Sequence, residues 1–220
     1  MARLPRVVIE NTPHHITQRG HRGHKVFLKK SDKAEYLCIL ADIAHKYGVA
    51  FWAYCLMDNH VHFVAVPAQP QSLAKCFQET NKTYTRKVNL REGWRGGMWE
   101  SRFKSFVLDE SHLYAAVRYV ERNPVRAGIV SRAEAYPYSS AKAHVFKTND
   151  PLIKDSFLTK EIIDWAEYLR DPDDPVDTMR RHLSTGRPLG GPEFIQRIER
   201  RLNRVLKKKK TGPKERLNQN

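Results

Sequence analysis

The stretch CLMDNHVHFVAVP, Cys55–Pro67, decides how this chain folds. One apolar run, Val49–Leu56, leads into it, and a second, His60–Val66, ends it, with the polar letters MDN around the join. Two such runs separated by a short polar turn predict an antiparallel β-hairpin. Because side chains alternate between the faces of a strand, His60 and His62 are expected to lie side by side on one face.

The histidine pair alone is compatible with two interpretations, a pair of metal ligands or two histidines that bind nothing.

Several enzyme classes are excluded by the residues around the pair. A zincin needs H-E-x-x-H, which is absent, and no Walker A loop or dinucleotide fingerprint occurs. A histidine-triad hydrolase needs a third alternating histidine where Val64 stands. A two-histidine phosphoesterase needs H-x-[ST] twice, and this pattern occurs at His15 but not at His62.

The overall charge narrows the class of partner. The 220 residues include 39 Lys or Arg against 24 Asp or Glu, a formal charge of +15. This excess favours nucleic acid over an acidic membrane surface. No window approaches a membrane span and the first ten residues lack a signal-peptide core, so we expect a cytoplasmic, nucleoid-associated protein. Cys38, Cys55 and Cys76 stand in apolar contexts and are expected to be reduced core residues.

Periodicity on both sides of the hairpin predicts alternating strands and helices. Further strands are expected at Thr12–Arg19 and Met98–Leu108. Helices are expected from a cap at Ser31 to a stop at Gly48, over Ser72–Asn89, and from Ser111 to a halt at Pro124. The order β-α-β-β-α-β-α predicts an α+β fold, an antiparallel sheet with helices packed on it.

Signals weaken after residue 130, which suggests three regions. Residues 1–130 form the predicted main domain, residues 131–206 a helical C-terminal extension, and residues 207–220 a basic flexible tail. The extension contains an acidic, proline-bearing linker, RDPDDPVD, at residues 170–177. We interpret the tail as a non-specific DNA arm, with a solvated solubility tail equally favoured.

The last predicted helix of the main domain carries a polar flank. If Leu113, Ala116, Val117 and Val120 face the core, then His112, Tyr119, Asn123 and Arg126 fall along one side of the helix. A phenol, an amide and a guanidinium on one stripe suit a phosphate-handling surface. The alternative is that Tyr119 merely covers the edge of the core.

Three segments together resemble a known family: YCLMDNHVHFVAVP, MWESRFKSFVLDE and YVERNPVRAGIV. They look like the single-tyrosine transposases of bacterial insertion sequences, which have the HUH fold, and most of all like the REP-associated tyrosine transposases. The likeness covers nearly the whole chain in the expected order, including YPYSSAKAH and TGRPLGGPEFI. It implies a ferredoxin-like/HUH antiparallel sheet with packed helices.

The resemblance also implies residue roles and a reaction. His60 and His62 become metal ligands, Asn123 the third ligand where compact relatives usually have Gln, and Tyr119 the nucleophile. The implied activity is a single-stranded DNA endonuclease and strand transferase that uses Mg²⁺ or Mn²⁺ and forms a 5′-phosphotyrosine at hairpin sites. The competing interpretation is a non-catalytic DNA-binding regulatory protein on the same scaffold. Either a monomer with the tyrosine in cis or a homodimer is compatible with the family.

Single-stranded or hairpin DNA is the expected partner, because basic residues can follow its backbone while aromatic rings stack on its bases. Trp52 and Trp99 are expected to pack in the core, which leaves Trp94 as the candidate for stacking. The candidate DNA-binding cations are Arg19, Arg22, Lys25, Arg102, Lys104 and Arg126.

Overall fold

The computed structural model of the chain describes residues 6–153, 157–171 and 176–206. The strands are β1 (His14–Arg19), β2 (Val49–Leu56), β3 (His60–Pro67) and β4 (Lys104–Val107). The helices are α1 (Lys30–Tyr47), α2 (Ser72–Glu92), α3 (Glu110–Glu121), α4 (Asn123–Arg126), α5 (Ala141–Phe146), α6 (Leu158–Glu161), α7 (Trp165–Arg170), α8 (Val176–Thr185) and α9 (Pro192–Leu202).

The strands form one antiparallel sheet in the order β2-β3-β1-β4. This order, with α1 and α2 as the connections, is the split β-α-β arrangement of ferredoxin-like folds. The predicted hairpin is confirmed, because β2 pairs with β3 across a turn in which the Met57 amide donates to the His60 carbonyl. The predicted α+β fold is therefore confirmed.

Each face of the sheet has its own core. On one face, Ile16, Phe51 and Phe63 pack against apolar side chains of α1 and α2. On the other face, Val64 and Phe106 pack against α3, whose four predicted core residues are all buried. The odd and even positions of β1 and β3 therefore face different helices, so the histidines of β3 lie on the side of α3.

The C-terminal helices share the second core. Trp165, Leu169 and Met179 belong to the same buried cluster as the inner face of α3. Helix α9 packs Phe194 and Ile198 onto the N-terminal segment and β4. The division into regions at residues 130 and 207 stays a prediction. Residues 207–220 and residues 172–175 of the predicted linker lie outside the described part of the chain.

Several local predictions were wrong, among them the end of α2, which lies at Glu92 and not at Asn89. Helix α1 begins one residue before Ser31, and the Asp32 carboxylate accepts from the backbone amides of residues 28 and 29 in place of a serine cap. The last strand covers only Lys104–Val107, because the loop before it joins β1 through a single bridge between Gly20 and Trp99.

The last helix also ends earlier than predicted, at Glu121, and Pro124 stands in the first turn of α4. Proline is tolerated there because the first turn of a helix leaves its amides unpaired. Cys38 is exposed, whereas Cys55 and Cys76 are buried as predicted. Trp52 and Trp99 are partly buried against the two cores, which confirms the expectation for both. No helix in the described part of the chain has the length and apolar run needed to cross a bilayer.

Candidate active site

One cleft contains all four residues for which the resemblance implies catalytic roles. It has a volume of about 760 Å³ and opens between β1, β3 and the end of α3. Strand β3 contributes His60 and His62, α3 contributes Tyr119, and α4 contributes Asn123. The hairpin brings the histidines to the sheet face that α3 covers, so residues about 60 positions apart in sequence meet.

Strand geometry and one amide fix the orientation of His60. Its Nδ1 donates to Asn59 Oδ1 at 2.6 Å, and Asn59 Nδ2 donates to the Gly23 carbonyl at 3.0 Å. Burial first, and then the Arg19 charge, lower the pKa of His60 to about 4, while a hydrogen bond with Asn123 opposes the shift. The ring is therefore neutral near pH 7, and its Nε2 is the nitrogen available to a ligand.

His62 is held by a histidine that the sequence analysis did not assign to the site. His62 Nδ1 and His15 Nε2 are 3.1 Å apart, and the two rings stack with centroids 5.3 Å apart. Burial first, and then His15, His60 and Arg126, lower the pKa of His62 well below its ordinary value. His62 is therefore also neutral, with Nε2 left for a ligand.

The role of His15 follows from which ring nitrogens of His15 and His62 carry the protons. For His62 Nε2 to offer a lone pair, His62 Nδ1–H must donate to His15 Nε2, which places the His15 proton on Nδ1. That Nδ1 is buried and has no hydrogen-bond partner among the described residues. His15 was seen in the sequence only as part of H-x-[ST]. Its place beside His62 depends on the register in which Thr17 pairs with His62 across β1 and β3, which no local motif reveals.

Tyr119 is packed tightly beside the imidazoles. It is 5% exposed. Its ring meets those of His62 and His15 edge-on, with centroid distances of 5.6 and 5.5 Å. Arg126 places its guanidinium carbon 4.1 Å from the centre of the Tyr119 ring and donates to the Tyr119 carbonyl at 2.7 Å. The phenol is thus fixed between the two histidines and a permanent positive charge.

The donor set fits a divalent cation. Two neutral imidazoles have their Nδ1 atoms engaged, which is the arrangement that orients histidine ligands at metal sites. The rings of His60 and His62 are 5.1 Å apart, and the Asn123 amide lies within hydrogen-bonding reach of His60. The described residues contain no group of three His, Cys, Asp or Glu side chains arranged to hold a metal, so an amide oxygen would have to complete this set.

Four of the six candidate DNA-binding cations line the cleft: Arg19, Arg102, Lys104 and Arg126. The other two do not. Lys25 forms an ion pair with Asp58 at 3.1 Å, and Arg22 lies in a short 3₁₀ turn with a left-handed φ of 53°.

The predicted polar flank is also incomplete, because His112 bonds Asp109 at the start of α3 and does not line the cleft. Helix α8 adds Arg180, Leu183 and Ser184 to the cleft. Sequence reasoning missed this contribution, because it depends on a long-range contact between α8 and β4.

Comparison with known proteins identifies the family. A family model described as "Transposase IS200 like" matches residues 9–123, more than half of the chain. The chain belongs to this family. No curated protein sequence shows significant similarity to it.

One solved structure has the same fold as this chain. The chain is similar to the structure of a REP-associated tyrosine transposase bound to a REP hairpin, over 71% of this chain and 93% of that one, with a TM-score of 0.57 and 16% identity. The two proteins share a fold. A Deinococcus radiodurans R1 crystal structure described as a transposase matches 58% of this chain and 92% of that one, with a TM-score of 0.37 and 18% identity, which is too weak to support an inference.

Proposed function

We propose that this IS200-like transposase is a metal-dependent single-stranded DNA endonuclease and strand transferase that forms a 5′-phosphotyrosine intermediate at hairpin sites. One observation carries the proposal, namely that Tyr119, His60, His62 and Asn123 line the same cleft. The Tyr119 and His62 rings lie 5.6 Å apart, close enough for one phosphate group to contact both. All four residues belong to one chain, so the site we propose is complete in cis.

Tyr119 acts as the nucleophile. Its Oη forms a bond to phosphorus while the bond from phosphorus to the 3′-oxygen breaks. The phenol releases its proton and the leaving 3′-oxygen takes one up, so charge is balanced. The tyrosyl phosphate retains the energy of the phosphodiester, which allows the 3′-hydroxyl of another strand to reverse the step without ATP.

The neighbouring side chains prepare the phosphate and the phenol. His60, His62 and Asn123 would hold Mg²⁺ or Mn²⁺, whose positive charge would polarise the scissile phosphate. Two imidazoles alone suit zinc as well, but phosphoryl transfer and the family resemblance favour the harder cations. Arg126 holds the Tyr119 ring in place and adds charge beside the phosphate.

A covalent adduct tests the proposal. A hairpin oligonucleotide labelled at its 3′ end is incubated with the protein and Mn²⁺, because the fragment that becomes attached carries the 3′ end. We expect a labelled species that survives SDS with the wild-type chain and with Tyr114→Phe, which removes another phenol from α3. Tyr119→Phe is expected to give no adduct while still binding the hairpin. Binding without any adduct from the wild-type chain would instead favour a regulatory DNA-binding protein.

A further inference from the structure

A second and larger groove lies on the other side of the sheet edge from the candidate active site. It has a volume of about 1160 Å³ and runs between the outer side of α2 and the loop at residues 93–103. We call it the α2 groove. None of the histidines of the candidate active site lines it.

The lining of the α2 groove is suited to a polyanion with flat apolar parts. Phe77, Trp99 and Phe103 form an apolar floor. No Asp or Glu occurs among the described residues that line it. Five cations surround the floor: Arg6, Lys82, Arg86, Arg95 and Arg102. Phosphate groups and bases together match this pattern, because cations follow a nucleic-acid backbone and aromatic rings accept bases.

Trp94 stands at the groove with an exposed ring on a braced backbone. It is 51% exposed. Helix α2 ends at Glu92, and Gly93 turns the chain with a left-handed φ of 68°. The Trp94 amide donates to the Asn89 carbonyl at 2.9 Å. Asn89 Nδ2 then donates to the Gly96 carbonyl at 2.9 Å. The backbone that carries Trp94 is therefore ordered, and its ring is open to solvent beside the groove.

The groove adjoins the candidate active site. Gln18, Ser101 and Arg102 line both cavities. Gln18 Nε2 donates to the Ser101 carbonyl at 2.7 Å, and Asn81 Nδ2 donates to Gln18 Oε1 at 2.6 Å, so the shared wall is held in place. A strand that leaves the cleft across this wall would therefore meet the α2 groove next.

We propose that the α2 groove binds an unpaired, single-stranded segment of the DNA substrate and stacks one of its bases on Trp94. The proposal rests on the proposed function for the identity of the ligand as DNA. It adds a binding site for the segment that leaves the cleft, with the five cations on its phosphates and the Trp94 ring on a base. Trp94 is here a binding residue and takes no part in the chemistry.

The test compares a plain hairpin with two extended hairpins, each of which differs from it only in an unpaired extension. Extensions of about eight nucleotides, within the usual site size of single-strand binding proteins, are placed on the 5′ foot or on the 3′ foot. Binding of each hairpin to the full chain is measured by fluorescence anisotropy in EDTA, so that cleavage does not contribute. The readout is the ratio of the Kd of the plain hairpin to the Kd of the better extended hairpin.

We expect a ratio above about ten for the wild-type chain, because stacking of one base on an aromatic ring contributes about tenfold and contacts of the cations with phosphates add to it. Trp94→Ala is expected to lower the ratio about tenfold, and Trp94→Phe, which keeps a ring, to retain most of it. Phe146→Ala, another exposed aromatic that lines neither cavity, is expected to keep the wild-type ratio.

A wild-type ratio near one, or equal ratios for wild type and Trp94→Ala, would overturn the proposal. Loss of the ratio in Trp94→Phe as complete as in Trp94→Ala would overturn the stacking role. Failure of the proposed function shows up separately, as absence of the Tyr119-dependent adduct in Mn²⁺. The binding ratio is independent of that adduct, so each idea can fail while the other stands.

Discussion

Replacing Glu121 is expected to destabilise the whole chain, because its buried carboxylate joins α3, the helix that carries Tyr119, to the C-terminal helices. Glu121 is 0% exposed. One oxygen accepts from Ser140 Oγ and from His144 Nδ1, the latter at 2.6 Å, and the other accepts from Trp165 Nε1 at 2.8 Å. Three donors from the segment after residue 130 therefore converge on one side chain of α3.

The magnitude follows from what each substitution leaves behind. Glu121→Ala strands the buried donors of His144 and Trp165, whereas the Ser140 hydroxyl still reaches the Tyr54 carbonyl at 3.3 Å. Each unsatisfied donor costs about 1–3 kcal/mol. Partial entry of water limits the total, so we expect a loss of about 3–5 kcal/mol in the free energy of unfolding, as when a buried charged partner is removed. Glu121→Gln keeps one acceptor oxygen but points an NH₂ group at a donor, so the loss should be smaller, about 1–3 kcal/mol.

Urea denaturation followed by tryptophan fluorescence measures both losses. Glu167→Gln, an exposed carboxylate on α7, is the matched control and should change the free energy of unfolding by less than about 0.5 kcal/mol. The expected order of stability is wild type and control, then Glu121→Gln, then Glu121→Ala. A Glu121→Ala protein within about 1 kcal/mol of wild type would refute the reasoning, since it would mean that the three donors are satisfied without the carboxylate.

Three further predictions concern the cleft. EDTA should abolish adduct formation by the wild-type chain, and added Mn²⁺ should restore it. A double variant, His60→Ala with His62→Ala, should form no adduct even with Mn²⁺. An adduct from that variant in EDTA would contradict the metal assignment. His15→Phe, which keeps a ring but removes the partner of His62 Nδ1, should weaken Mn²⁺ binding about 10–100-fold by titration calorimetry. His24→Phe, at an exposed position, should leave Mn²⁺ binding unchanged. Equal Mn²⁺ affinities for wild type, His15→Phe and His24→Phe would show that His15 does not support the metal ligands. Arg102→Ala with Lys104→Ala should flatten the slope of log K against log salt by about 0.7 for each lost phosphate contact, and an unchanged slope would show that neither residue touches the DNA backbone.

Local patterns were sufficient to predict the fold. The hairpin followed from two apolar runs and a polar turn, and the core face of α3 followed from helical spacing. The family resemblance supplied the roles of Tyr119 and Asn123, and the structure brings both into the cleft with the histidines of β3. These predictions succeeded because the spacing of side chains along one element decides which face they occupy.

Features that depend on contacts between distant segments could not be predicted from the sequence. The position of His15 beside His62 depends on the pairing of β1 with β3. The position of Arg180 at the cleft depends on the packing of α8 near β4. The alternation around Met98–Leu108 resembles a long strand, yet only its last part finds a partner in β1. Cys38 was assigned to the core from its apolar neighbours, but it lies on the solvent side of α1.

Mass spectrometry of the adduct tests most directly whether Tyr119 carries the DNA. Trypsin separates the two tyrosines of α3, because Arg118 precedes Tyr119 and leaves it in the peptide YVER, whereas Tyr114 falls in the peptide SFVLDESHLYAAVR. After nuclease trimming, we expect the added nucleotide mass on YVER. The same mass on the Tyr114 peptide, or on neither peptide despite a covalent adduct, would contradict the account.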